Sequence, residues 1–176
     1  MLAAKVEGAA VVVVDKPSIF TNLTKPLVFE PVFLTIEKIG LTKVQIVEVG
    51  VDDVGRLEVP QSFGEVGWYV NGPKAGEDGN AILAGHYDRV GGSPAVFYNL
   101  VKLSVGDSVV VEDQVQKEHT FLITEVVHVN VNDPESVLKA YEQTKDSVLT
   151  IITCGGVWDP VAHDYSKRLL IKAKKV

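Results

Sequence analysis

Val148-Leu149-Thr150-Ile151-Ile152-Thr153-Cys154-Gly155-Gly156 is a run of aliphatic and β-branched residues that stops at a thiol and two glycines. Such side chains fit a pleated, half-buried surface, and the run has the length of a strand. Val148–Thr153 therefore reads as a buried strand with Cys154 at its end. Leu169–Ala173 is the next run of this kind. An antiparallel hairpin between the two would set the end of one strand against the start of the other. Arg168 then lies near Cys154, with 155–167 as a loop arching over both.

Upstream, the same pattern recurs in short pieces. Val32–Ile36, Val44–Val49, Val66–Val70, Ala81–Ala84, Ser108–Glu112 and Thr120–Val131 read as strands, the last of them the longest. Arg56–Pro60 reads as a short extended piece, and Val96–Leu103 as a short helix or irregular segment. Gly91-Gly92-Ser93-Pro94 and the Asn71 to Gly79 region are turns. Asp133-Pro134-Glu135 is a helix start, with an N-cap aspartate, proline at the first position and an acid at the positive dipole end. One short helix to about Gln143 is expected. Eight or so short strands with one or two short helices make the chain mainly β, a barrel or a sandwich.

The 176 residues are 46% hydrophobic and 23% charged, the make-up of one globular domain or one domain plus a tail. Residues 1–25 read as an N-terminal extension or linker and 26–176 as the domain. The net charge of −6 argues against a phosphate backbone, so no nucleic-acid partner is expected. Near the start the longest apolar run is Ala9–Val14, far short of the ~20 residues of a membrane helix. No secretory signal pattern is present either, so the chain reads as a soluble polypeptide.

Cys154 is the single cysteine, which excludes an internal disulfide framework and a four-cysteine zinc site. It leaves a buried bystander or a reactive thiol. A thiol nucleophile needs a neighbouring base or positive charge, because the free group is mostly protonated at neutral pH. Of the four histidines, His119 and His128 belong to the long strand and His163 to a polar loop. His86 follows the apolar run Ala81–Gly85 and so stands at a strand end beside a glycine-rich loop. Arg168 is one of three arginines against fourteen lysines. It could donate to a carbonyl oxygen that becomes negative in acyl transfer, or merely balance Asp159 and Asp164 at the rim.

Thr150-Ile151-Ile152-Thr153-Cys154 resembles the Thr-Leu-x-Thr-Cys signature of sortases, with Ile151 in place of leucine. Arg168 falls fourteen residues later, where that family has its arginine. Gly79-Asn80-Ala81-Ile82-Leu83-Ala84-Gly85-His86-Tyr87-Asp88 resembles the segment carrying the sortase histidine, with Tyr87 where an aliphatic residue or threonine is more usual. Val66-Gly67-Trp68-Tyr69, Pro94-Ala95-Val96-Phe97-Tyr98 and Cys154-Gly155-Gly156 are most similar to the class F branch. The resemblance runs from about Pro31 to the end, roughly five-sixths of the chain.

The resemblance implies a closed eight-stranded sortase β-barrel over 26–176, working as a cysteine transpeptidase on a sorting signal of the Leu-Pro-x-Thr-Gly type. Cys154 would be the nucleophile, His86 the general acid and then base, and Arg168 the oxyanion and substrate holder. Thr153, Asp88 and Trp158 are expected to contact substrate, as is the 132–143 helix region. No metal or other cofactor is expected. The implied partners are the sorting-signal peptide of a surface protein and an amine nucleophile from a wall precursor or pilin. The implied location is the extracellular face of the bacterial membrane. Residues 1–25 are then expected to be what remains of a longer N-terminal region bearing the family's membrane anchor, the only membrane link implied. Two other classes fit the strand content: a peptidoglycan L,D-transpeptidase-like cysteine enzyme, which typically has glycine before its cysteine, and a non-catalytic barrel binding wall-associated peptide.

Overall fold

The computed structural model describes residues 27–176, so the expected extension over 1–25 lies outside the described residues. Eight strands close into one barrel: β1 (Pro31–Ile36), β2 (Leu41–Val49), β3 (Val66–Tyr69), β4 (Gly79–Ala84), β5 (Ser108–Asp113), β6 (Glu118–Asn130), β7 (Ser147–Asp159) and β8 (Asp164–Lys175). They neighbour one another in the order β1-β2-β3-β4-β7-β8-β6-β5, with β5 returning to β1. Closure leaves no unpaired sheet edge. The eight-stranded barrel implied by the resemblance is the architecture found.

Two parallel pairings, β2 with β3 and β4 with β7, interrupt an otherwise antiparallel barrel. The second explains why Gly79–Ala84 reads as a continuous apolar run, since every residue of β4 is buried. Ala81 and Leu83 join the cluster inside the barrel, among Leu34, Phe121, Leu149 and Ile171. Ile82 joins a second cluster on the outer face with Val129, Ala140, Ile152 and Leu170. A strand covered on both faces cannot alternate polar with apolar.

The roof over that outer cluster is α1 (Pro134–Leu138) and the 3-10 turn Lys139–Tyr141. Asp133 caps α1 as expected, its carboxylate accepting from Ser136 N. Buried Asn80 fastens the roof to the barrel. Its amide donates to the carbonyls of Ala140 (2.8 Å) and Glu142 (3.2 Å), and its oxygen accepts from Thr150 Oγ1 at 2.7 Å.

Arg56–Pro60, read as a short extended piece, lies outside the eight strands, with Leu57 bridging to Val51. Asp52 folds this loop on itself by accepting from the backbone of Val54 and Arg56. Val96–Leu103 contains a 3-10 turn over Tyr98–Lys102. The longest strand is shared, because β6 and β7 both have 13 residues.

The main difference is at Cys154, which lies within β7 and not at its end. The two glycines do not stop the strand; they bulge it. Gly156 has φ +82°, and a Cβ there would stand 2.6 Å from Ser166 Oγ. Pairing slips between Gly155 and Trp158, then resumes as Trp158 opposite Tyr165 and Asp159 opposite Asp164. Only 160–163 turns, held by Asp159 accepting from Val161 N (2.8 Å) and Ala162 N (3.1 Å). What looked like a long arching loop is the outer half of a hairpin.

Candidate active site

Cys154 and Arg168 are direct partners across the β7–β8 ladder, as the hairpin argument expected. Side chains alternate along a strand, so Cys154 follows Ile152, and Arg168 follows Leu170, onto the outer face. Ile152 and Leu170 belong to the outer apolar cluster. Cys154 and Arg168 therefore stand where apolar floor gives way to polar rim. A groove of ≈1640 Å³ runs along this face. Ala84, Val129, Ile152 and Leu170 line it, together with Leu57 and Val59 from the 50–61 loop and Val137 and Tyr141 from the helical roof. Cys154, His163, Asp164 and Arg168 also line it.

The Cys154 thiol is half-buried, and burial pushes its pKa up. The positive charge of Arg168 pulls it back, while Asp164 and Asp88 push it further up. Arg168 is itself held within the hairpin. Its Nη2 donates to both carboxylate oxygens of Asp164, at 3.0 and 2.8 Å. Its Nη1 donates to the carbonyls of Tyr165 (3.2 Å) and Lys167 (3.1 Å).

His86 arrives from β4. Ala84 is level with Ile152 in the parallel β4–β7 pair, and Gly85 N donates to Ile152 O at 3.2 Å. His86 lies two residues beyond the last β4–β7 pair, on the segment that leaves the end of β4. Thr153 is buried and fixes this junction, its Oγ1 donating to Gly85 O at 2.8 Å. The His86 ring packs on Phe63 at 4.6 Å, and its Nε2 lies 2.8 Å from Pro60 O. A carbonyl can only accept, so Nε2 carries the proton of that bond and Nδ1 is the nitrogen open to exchange one. No hydrogen bond joins His86 to Cys154 among the described residues.

Asp88 and Trp158 both meet Tyr165 of β8. Asp88 accepts a hydrogen bond from the Tyr165 hydroxyl. Trp158, 47% exposed, packs edge-on against Tyr165 (5.3 Å) and His163 (6.4 Å). The structure thus pairs Cys154 with Arg168, ties Thr153 to Gly85 one residue before His86, and sets Asp88 near enough for its charge to act on the thiol, while the His86 ring is seated on Pro60 and Phe63. Of the rim acids, Asp164 pairs with Arg168, while Asp159 closes the hairpin turn instead. Sequence reasoning missed Tyr165, the Pro60–Phe63 seat of His86, and Asn80. Carrying the hairpin register beyond the glycines would have set Tyr165 opposite Trp158. Nothing local marks the other two. Among the described residues, no group of three or more His, Cys, Asp or Glu is placed to hold a metal ion.

A family model described as the sortase domain matches residues 34–176. Among solved structures, the chain is similar to a Clostridium perfringens sortase D5 transpeptidase at 26% identity and TM-score 0.57, covering 82% of this chain and 77% of that one. It shares its fold with Listeria monocytogenes sortase A (17% identity, TM-score 0.60, 82% and 85% covered). The same holds for sortase C-1 of Actinomyces oris (20% identity, TM-score 0.60, 82% and 70% covered). Curated proteins gave no match.

Proposed function

This chain belongs to the sortase family of cysteine transpeptidases, and from that premise we propose that Cys154, His86 and Arg168 carry the reaction on a Leu-Pro-x-Thr-Gly-type signal. The observation that supports it is the pairing of Cys154 with Arg168 beside the apolar groove. An extended peptide with apolar leading residues fits this groove, with its scissile carbonyl at the thiol.

The Cys154 thiolate attacks the threonine carbonyl carbon, forming a C–S bond and pushing charge onto the carbonyl oxygen. Arg168 meets that charge, a task for which a planar, permanently charged donor is suited. His86 Nδ1 gives a proton to the glycine amine as the C–N bond breaks, leaving a thioacyl-enzyme. It then takes a proton from the incoming amine, whose nitrogen attacks the thioester and releases the thiolate. Water in place of the amine gives hydrolysis as a side reaction.

On this reading 26–176 is the catalytic domain and 1–25 an extension or tether. The enzyme works on the extracellular face of the bacterial membrane, joining surface proteins to a wall precursor or pilin amine. The Gly155-Gly156 pair and the other motifs quoted above favour the class F branch. No helix among the described residues is long and apolar enough to cross a membrane.

The test is a fluorogenic Leu-Pro-x-Thr-Gly peptide given to wild type and Cys154→Ala, with and without an amine acceptor, while intact mass follows the thioacyl adduct. Cleavage and adduct are expected in wild type alone. Cleavage persisting in Cys154→Ala, or no cleavage of any sorting peptide, would overturn the proposal.

A further inference from the structure

The groove is one surface beside Cys154; a second is built on Tyr165 and Asp88, both close enough to exchange electrostatic influence with the thiol. Tyr87, Asp88, Trp158 and Tyr165 do not line the groove. They form a wall of their own: Tyr87 packs on Tyr98 at 5.0 Å and edge-on against Tyr165 at 5.6 Å, and Tyr165 packs against Trp158 at 5.3 Å. Asp88 sits in this wall. Its Oδ2 accepts from Tyr165, and its Oδ1 accepts no hydrogen bond from a described residue. Both nearby arginines are engaged elsewhere, Arg89 over the Phe63 ring at 5.5 Å and Arg168 with Asp164. The wall therefore offers aromatic faces and an oriented carboxylate that forms no ion pair with a described residue.

Thioacyl transfer dictates what reaches this side. Expulsion of an amine in acylation and attack of an amine in deacylation are the same step run in opposite directions. Leaving and incoming amines therefore share one approach to the carbonyl carbon, on the side of the thiol away from the acyl chain. With the acyl chain in the groove, the wall, which adjoins the thiol without lining the groove, is the surface left to the amine. Aromatic faces attract an ammonium and its alkyl stem, and a carboxylate attracts the same cation. A second carboxylate beside the amine would be repelled by Asp88, with Asp159 and Asp164 on the same hairpin.

We infer that Asp88, fixed by Tyr165 within the Tyr87–Trp158 aromatic wall, positions the incoming acceptor, and that it selects a primary amine on an alkyl stem with no carboxylate beside it. A lysine-type side chain meets this description. In the transfer, the bound ammonium first gives one proton to solvent; its neutral nitrogen then attacks the thioester carbonyl and passes a second proton to His86 as the new C–N bond forms and the C–S bond breaks to return the Cys154 thiolate. The inference rests on the transpeptidase reading above.

The test uses the full chain acylated by the sorting peptide, with three acceptors: Nα-acetyl-lysine amide, norleucine amide and norleucine. The last two differ only in the carboxylate beside the amine. Asp88→Asn keeps the shape and an acceptor for Tyr165 while removing the charge. It is expected to raise KM for Nα-acetyl-lysine amide and to lower the transfer-to-hydrolysis ratio, each by about twofold to fivefold, the size of one partly solvated charge contact. It should also narrow the gap between norleucine amide and norleucine, a change that a merely structural role would not produce. Asp88→Glu should recover part of both. A thioacyl-enzyme that forms in Asp88→Asn with unchanged acceptor KM and unchanged norleucine discrimination overturns the inference. So does an equal loss of acylation and transfer with discrimination intact, which would make the residue structural. Absence of any thioacyl-enzyme in wild type removes the transpeptidase reading itself, and the inference with it.

Discussion

Arg168 faces Cys154 across the β7–β8 ladder, yet its Nη2 closes on both carboxylate oxygens of Asp164, four residues back in its own strand. A substrate oxyanion would have to share or displace that carboxylate. Asp164 therefore acts on the thiol in two ways, by opposing its ionisation and by engaging its positive neighbour.

Asp164→Asn is expected to shift thiol reactivity towards lower pH. A thiol ionises to an anion, so a nearby negative charge raises its pKa and a positive one lowers it. Burial, Asp164 and Asp88 push Cys154 up, and Arg168 pulls it down. Removing Asp164 deletes one upward push, whereas Arg168→Ala deletes the only pull and moves the profile the other way. The iodoacetamide alkylation rate of Cys154, followed against pH, reads both. Identical profiles in all three proteins would show that neither charge reaches the sulfur.

Arg168→Lys is expected to keep most of the charge effect on the thiol but lose about 10²–10³-fold in kcat/KM on the sorting peptide. Lysine can supply charge, but not the planar fork that meets Asp164 and a carbonyl oxygen together. Alkylation and turnover should therefore separate in this variant. A parallel fall in both would mean that charge alone is the contribution of Arg168.

The strand pattern carried most of the fold, and it carried Cys154 and Arg168, because a hairpin links residues close in sequence through a fixed register. It failed where the two glycines looked like a strand end. A bulge and a turn share the same residue, glycine at positive φ, and only the partner strand tells them apart. The partner here, Ser166 and Lys167, crowds Gly156 into the bulge. His86 was legible through motif and strand position, but its seat against Pro60 and Phe63 comes from an irregular loop without periodicity. Asn80 was quoted as part of a motif without its role being visible. Its three hydrogen bonds reach residues 60 to 70 positions away.

Asp113 is expected to set part of the acid limit of stability. It lies buried on the far side of the barrel wall with His119, whose Nε2 is 3.0 Å from its Oδ2. Burial alone would raise its pKa, but hydrogen bonds from His119 and from the backbone of Lys117 and Val115 outweigh burial and hold it below the ordinary value. A carboxyl depressed in the folded state contributes stability above its unfolded pKa and loses it as pH falls towards the folded value. Melting temperature should hold steady above about pH 5 and fall below about pH 4. Asp113→Asn should lower the plateau and flatten that fall; an unchanged acid limb would assign it to other carboxyls.

Gly85→Ala is expected to separate folding from activity at the strand junction that carries His86. An added Cβ would stand 2.6 Å from Cδ2 and 2.7 Å from Cε2 of Phe97, a fully buried ring. Rings in a packed core do not move freely, so overpacking here should cost about 1–3 kcal/mol in urea unfolding. The backbone is pinned on both sides, by Gly85 N to Ile152 O and by Thr153 Oγ1 to Gly85 O. Relief must come from the segment beyond, which bears His86. Thr153→Val tests the same junction from β7 without adding bulk, leaving the Gly85 carbonyl short of a donor at about 1–3 kcal/mol. Both variants should lose more turnover than their remaining folded fraction explains, while Cys154 stays open to alkylation. Turnover that simply tracks the folded fraction would mean the junction holds the barrel together without setting where His86 stands.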